Sequence, residues 1–124
     1  MEKYFATYNQ SLALKKLGFD MPCFGWYEHN GNFYYCYQEG LVPPSPSKKL
    51  IKGCCLAPIK SQVFEWFRKE HKLHGNIIIA ETNCGFKIQY LSDYINQWFA
   101  SYESYEEAES ACIDKLIEIV QNGR

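Results

Sequence analysis

The sequence has no long apolar run. Its longest strong one, Ile77-Ile78-Ile79-Ala80, falls far short of the ~18 residues a membrane span needs and reads as the core of a strand. It has almost no net charge: 13 Lys and Arg against 14 Asp and Glu leave −1. A general phosphate-binding protein carries a basic excess, so this balance argues against nucleic acid and leaves only a local patch open. There is no phosphate loop. Gly25, Gly31, Gly40 and Gly53 are scattered, and none opens a helix after a strand, as a nucleotide fingerprint requires. No cysteine sits in a glycine elbow. No two cysteines stand at the C-x2-4-C spacing of zinc sites.

The start, Met1-Glu2-Lys3-Tyr4-Phe5, lacks the apolar core of a secretory signal. A cytoplasmic location is therefore expected. The six cysteines, Cys23, Cys36, Cys54, Cys55, Cys84 and Cys112, are expected to be thiols, because the cytosol keeps them reduced. Cys36 and Cys112 also fall inside predicted elements, where a free Cys behaves as a small hydrophobe.

What the sequence does have is aromatic residues: ten Tyr, eight Phe and three Trp. Tyrosine buries a ring and keeps its hydroxyl wet, which suits half-buried sheet faces and binding surfaces. With 47% apolar residues over 124 positions, the chain suits one globular domain, residues 1–124, with a core that needs neither disulfide nor metal.

Thr7-Tyr8-Asn9-Gln10 fits a capping box at the start of a first helix. Leu12, Ala13 and Leu17 give it an apolar stripe, and Gly18 stops it, with Phe19 folding back on the last turn. His29-Asn30-Gly31-Asn32 then predicts a hairpin with a type I′ turn at Asn30-Gly31. That turn pairs Tyr27 with Tyr34, Trp26 with Tyr35 and Phe24 with Tyr37. One face then carries Phe24, Trp26, Phe33, Tyr35 and Tyr37, and the other Gly25, Tyr27, Tyr34 and Cys36.

Pro43, Pro44 and Pro46 break the chain between Glu39 and Gly53, in an exposed loop that also holds Lys48, Lys49 and Lys52. A short strand is expected within Leu50 to Leu56. A second helix is predicted from Pro58 to Lys72, with Ile59, Val63, Phe64 and Phe67 buried, Trp66 beside them, and Lys60, Glu65, Arg68, Lys69 and Glu70 wet. Gly75 closes that segment. Strands follow at Asn76 to Glu81 and Phe86 to Tyr90, with another within Trp98 to Tyr102. Ser104-Tyr105-Glu106-Glu107 fits a capping box at the start of a last helix, whose stripe is Ala108, Ala111, Cys112, Leu116, Ile119 and Val120. The predicted fold is α+β, in the order α-β-β-α-β-β-(β)-α. It forms one antiparallel sheet of four to five strands with helices packed mainly on one face.

Three stretches together resemble a group of small uncharacterised proteins encoded by phages and prophages of gut bacteria. They are Ser11-Leu12-Ala13-Leu14-Lys15-Lys16-Leu17-Gly18-Phe19, then Ala57-Pro58 leading to Phe64-Glu65-Trp66-Phe67-Arg68-Lys69, then Tyr105-Glu106-Glu107-Ala108-Glu109 leading to Lys115-Leu116-Ile117-Glu118-Ile119. The matching residues are mostly caps and core positions. The resemblance implies a cytoplasmic accessory protein of phage origin and carries over no functional residue.

Two constellations carry little chemistry. Cys54-Cys55 with His71 and His74 lacks a zinc spacing, although the histidines can share a face. Cys23 or Cys36 meets His29 only if the hairpin folds back, and His29 sits where solvated histidines are common. The expectation is a non-enzymatic protein without catalytic residues, cofactor or metal. The cluster of Lys48, Lys49, Lys52 and Lys60 near aromatics is the feature that would suit single-stranded nucleic acid. The binding candidates are Tyr27, Tyr34, Trp26 and Tyr35 of the hairpin, with Lys48, Lys49 and Lys52. The expected partner is a protein contacting the face of Tyr27 and Tyr34, a second copy (homodimer) included. A nucleotide-like small ligand held by aromatic stacking is the alternative.

Overall fold

Thr7 and Gln10 close a reciprocal cap. Thr7 Oγ1 accepts the Gln10 N–H at 3.2 Å, and Gln10 Oε1 accepts the Thr7 N–H at 3.0 Å. They start α1 (Tyr8–Leu17). Gly18, at φ 93°, ends it: its N–H bonds the Lys15 carbonyl at 3.2 Å, and Phe19 N–H bonds Leu14 at 3.0 Å. Both ends are thus as the sequence predicts. The buried face is not. It is Gln10, Ser11 and Leu14 that are buried, while Leu12, Ala13 and Leu17 are half-buried. Gln10 is drawn inward because its side chain is committed to the cap.

The computed structural model describes residues 2–35, 55–90, 93–96 and 102–123, with residues 35 and 93–96 described by their backbone. The loop prolines and Lys48, Lys49 and Lys52 lie outside these residues, as do Cys36 and Cys54. The chain separates into two compact units, Met1–Val63 and Phe64–Arg124.

In the first unit, β1 (Gly25–Tyr27) pairs antiparallel with both β2 (Phe33–Tyr35) and β3 (Cys55–Ala57), in the order β2-β1-β3. The hairpin register differs from the predicted one by a residue: Tyr27 faces Phe33, Trp26 faces Tyr34 and Gly25 faces Tyr35. The turn explains why. A type I′ turn needs positive φ at both Asn30 and Gly31, but only Gly31, at 87°, has it. Gly31 N–H bonds the Glu28 carbonyl at 2.8 Å and Glu28 N–H bonds Asn32 at 3.0 Å. The loop is therefore His29-Asn30-Gly31, a type I turn closed by a left-handed glycine. Asn30 Oδ1 accepts the Asn32 N–H at 3.0 Å and holds that shape.

One strand slipped by one residue exchanges its faces. Gly25, Tyr27 and Phe33 now share a side with Cys55 and Ala57, which pair with Tyr27 and Gly25. Phe5, Tyr27, Cys55 and Ala57 form the buried cluster, with Tyr8, Leu12, Phe33 and Ile59 packed on it. Gly25 lets Phe5 and Phe33 close over the sheet: a Cβ there would stand 2.9 Å from Phe5 Cε1 and 3.0 Å from Phe33 Cε1.

α2 spans Lys60–His71, two residues later than predicted. Pro58 instead offers its carbonyl to Ala6 N–H at 2.8 Å, and Ile59 bridges to Phe5. Gln62 starts the helix by accepting the Ile59 N–H at 3.1 Å, and its amide donates to the Pro22 carbonyl at 2.8 Å. Val63, Phe64, Trp66 and Phe67 are buried as expected, but so is Lys60, assigned from sequence to the wet side.

In the second unit, β4 (Leu73–Ile79), β5 (Cys84–Tyr90) and β6 (Asp93–Asn96) form an antiparallel sheet in that order. α3 (Tyr105–Gln121) packs on β4 and β5. Ser104 caps it, accepting the Glu107 N–H at 3.1 Å. Ala108, Cys112, Leu116 and Ile119 are buried as predicted. Ile113 and Ile117 join them, while Ala111 and Val120 are half-buried, so the apolar face is wider than the stripe suggested. Gly75 does not end a segment. It lies inside β4, where a Cβ would meet Cys112 Sγ and Phe64 Cε1 at 2.9 Å. The break falls at Lys72, in the left-handed region at φ 58°. Of the strand expected within Trp98 to Tyr102 only Tyr102 is described, and it bridges Cys84.

The α+β class is as predicted, but among the described residues the single sheet of four to five strands is replaced by two three-stranded sheets. Among the described residues, β3 takes the open side of β1, and β4 pairs with β5 alone. Among the described residues, no helix is long and apolar enough to cross a membrane.

Candidate functional site

The slipped register separates the two tyrosines expected to share a binding face. Tyr27 is 2% exposed. Its ring lies 5.3 Å from Phe33 and 5.5 Å from Tyr8, and its hydroxyl donates to the buried Ala6 carbonyl at 2.7 Å. Burial, Glu2 and then Cys55 push its pKa up to about 12. Tyr27 is thus a core residue with a satisfied hydroxyl, which corrects its assignment to a binding face.

Tyr34 lies on the opposite side. It is 39% exposed, and its ring stacks on Trp26 with centroids 5.8 Å apart and planes 19° from parallel. Leu56, paired with Trp26 across β1 and β3, shares that face and is half-buried, as is Trp26. Phe24, just before β1, is 51% exposed. The outer face of this sheet is therefore an aromatic platform of Trp26 and Tyr34, bordered by Phe24 and Leu56. Tyr35 pairs with Gly25 through its backbone.

On the core side, a cleft of about 340 Å³ opens among Phe5, Thr7, Tyr8, Tyr27, Gly31, Glu2, Lys3 and Lys60. Tyr8 spans it to the hairpin, its hydroxyl donating to the His29 carbonyl at 3.2 Å. Lys60, 7% exposed, brings a cation to the wall. Sequence reasoning missed it because a lysine at a helix start reads as a solvated residue; no local pattern marks its burial.

The thiol chemistry runs against nucleophilic use of Cys23. It is buried, donates to the Met21 carbonyl at 3.3 Å, and burial, reinforced by Cys55, pushes its pKa up to about 12. A nucleophilic thiol needs the reverse. Cys23, Cys55, Cys84 and Cys112 are all buried and outside any disulfide. His71 and His74 do not share a face. His71 ends α2, its ring 4.9 Å from Trp66 and 5.8 Å from Phe67, whereas His74 is exposed on β4 beyond the turn at Lys72. Among the described residues no group of three or more His, Cys, Asp or Glu is placed to hold a metal.

Comparison with protein-family models, curated proteins and solved structures gives no match.

Proposed function

We propose that this chain is a non-enzymatic accessory protein that binds another protein through the platform of Trp26 and Tyr34. The observation that carries the reading is the stacked pair itself, half-buried Trp26 under exposed Tyr34, on the face away from the core. The core side of the same sheet is filled by Tyr27, Cys55 and Ala57, so packing of that cluster accounts for that side and Trp26 and Tyr34 lie on the other. Tyr and Trp concentrate binding energy because they bury large rings with few rotatable bonds while keeping a polar tip. The motifs shared with small phage and prophage proteins fit a cytoplasmic accessory role. The test is affinity capture from the native host, with wild type beside a Trp26→Ser/Tyr34→Ser variant. A protein retained by wild type and lost by the variant supports the reading. Equal retention, or none by either, overturns it.

A second reading rests on the cleft. Its aromatic wall of Phe5, Tyr8 and Tyr27 with the Lys60 cation suits a small planar anion of nucleotide-like chemistry. A nucleotide that raises the melting temperature of wild type but not of Lys60→Met supports it. A full nucleotide panel without a shift removes it.

A further inference from the structure

We propose that Asn122-Gly123 is a self-modification site. In the folded chain Asn122 loses ammonia and becomes aspartate or isoaspartate, with water as the co-reactant, while the fold slows the same chemistry at Asn30-Gly31. Asn-Gly occurs at these two places in the sequence. Asparagine is among the thermolabile residues, and glycine, without a Cβ, leaves its amide nitrogen open to approach. Both asparagines are exposed, so neighbouring residue and solvent access treat them alike. The backbone does not.

The Gly123 nitrogen gives its proton to hydroxide and attacks Asn122 Cγ. The N–Cγ bond forms, the Cγ–Nδ2 bond breaks, and ammonia leaves with a proton drawn from water. Water then opens the succinimide ring. Addition at Cγ breaks the new N–Cγ bond and leaves aspartate. Addition at the Asn122 main-chain carbonyl breaks the old peptide bond and leaves isoaspartate, with the chain running through Cγ. A water is taken up, an ammonia is released, and nothing is oxidised or reduced.

Ring closure requires the asparagine backbone to turn about ψ. Asn122, the C-cap of α3, has ψ 16°, so the Gly123 nitrogen eclipses the Asn122 nitrogen rather than Cβ. Turning it releases the Gly123 N–H from the Val120 carbonyl, at 3.1 Å, and keeps the Asn122 N–H on the Glu118 carbonyl, at 3.0 Å. Among the described residues, nothing lies within 4 Å of where a Cβ on Gly123 would stand, so the glycine swings into open space. Helix ends fray readily. Asn30 is held harder. Its Oδ1 accepts the Asn32 N–H at 3.0 Å, the Glu28 carbonyl holds the Gly31 N–H at 2.8 Å, and the Asn32 carbonyl holds the Glu28 N–H at 3.0 Å. Turning ψ at Asn30 breaks all three bonds and carries β2 away from β1, where Phe33 faces Tyr27.

The product places a new carboxylate at the end of α3, where the helix dipole favours a cation. The last turn holds no basic residue, and Glu118 lies one turn back. Conversion therefore loosens the end of α3. The site uses neither the Trp26 and Tyr34 platform nor the cleft beside Lys60.

Incubation of the full chain at neutral pH and body temperature, in buffer and in urea, tests the proposal, with peptide mass spectrometry that resolves isoaspartate as the readout. In buffer Asn122 converts at least about tenfold faster than Asn30, because fewer bonds must open. In urea the two rates converge. Asn122→Gln, at an exposed cap, removes the main acidic form that accumulates in folded wild type. In the converted chain the Val120 and Gln121 amides exchange faster with deuterium. Equal rates in buffer, no conversion of Asn122 there, a preference that persists in urea, or last-turn amides that ignore the conversion overturns the proposal.

Discussion

Tyr27 and Tyr34, neighbours in type and close in sequence, should respond to the same substitution in opposite ways. Tyr27→Ser removes a ring that is 2% exposed and packed on Phe33 and Tyr8. Truncating a buried aromatic to a small residue costs about 3–5 kcal/mol. Ala6 O also loses its donor, and an orphaned buried acceptor costs about 1–3 kcal/mol more. Against a total stability of roughly 5–15 kcal/mol, that is most of the fold. Tyr27→Phe isolates the hydrogen bond and should cost only the second amount. Tyr34→Ser removes a 39% exposed ring whose chief contact is the Trp26 stack, so its cost is about 1 kcal/mol. Urea unfolding followed by tryptophan fluorescence measures all three. The reasoning fails if Tyr27→Ser keeps the wild-type midpoint, or if Tyr34→Ser costs as much as Tyr27→Ser.

Gly75→Ala should destabilise by about 1–3 kcal/mol, because the new Cβ has Cys112 Sγ and Phe64 Cε1 at 2.9 Å; thermal melts check this, and an unchanged melting temperature would show that the helices can retreat. Stability should fall with alkali. The folded pKa values of Tyr27, Cys23 and Cys112 are raised to about 12, from 10.0 for the tyrosine and 9.0 for the thiols. Their contribution is complete below about pH 9 and is lost as pH rises toward 12. Urea midpoints across that window should drop, and less steeply in Tyr27→Phe. Cys23 and Cys112 should resist a thiol reagent at neutral pH in the native state and react once unfolded, with no reductant needed. Native modification at either would contradict their burial.

Local chemistry made much of the fold legible. Thr7, Gln10, Gly18 and Ser104 mark helix ends by bonds within a few residues, and all four lie at those ends, with the reciprocal bonds of a capping box formed at Thr7 and Gln10 and the single bond to Glu107 N–H at Ser104. The failures lie where distant parts of the chain decide. Asn30-Gly31 marks a turn, yet both type I′ and a type I turn with a left-handed glycine accept that pair, and they differ by one residue of register. That residue decides whether Tyr27 or Trp26 faces the core. Gly75 reads as a stop from sequence and is instead a close approach, because Cys112 and Phe64 come from elsewhere in the chain. Lys60 is buried by packing that no helical periodicity encodes. The aromatic hairpin is thus legible in the sequence, while the assignment of its two faces is not.

Chemical footprinting of the native chain asks most directly which face is outside. Nitration, read residue by residue by mass spectrometry, should modify Tyr34 rapidly and leave Tyr27 untouched until the chain unfolds. Tyr27 reacting as fast as Tyr34 would place both on one open face and contradict the platform of Trp26 and Tyr34.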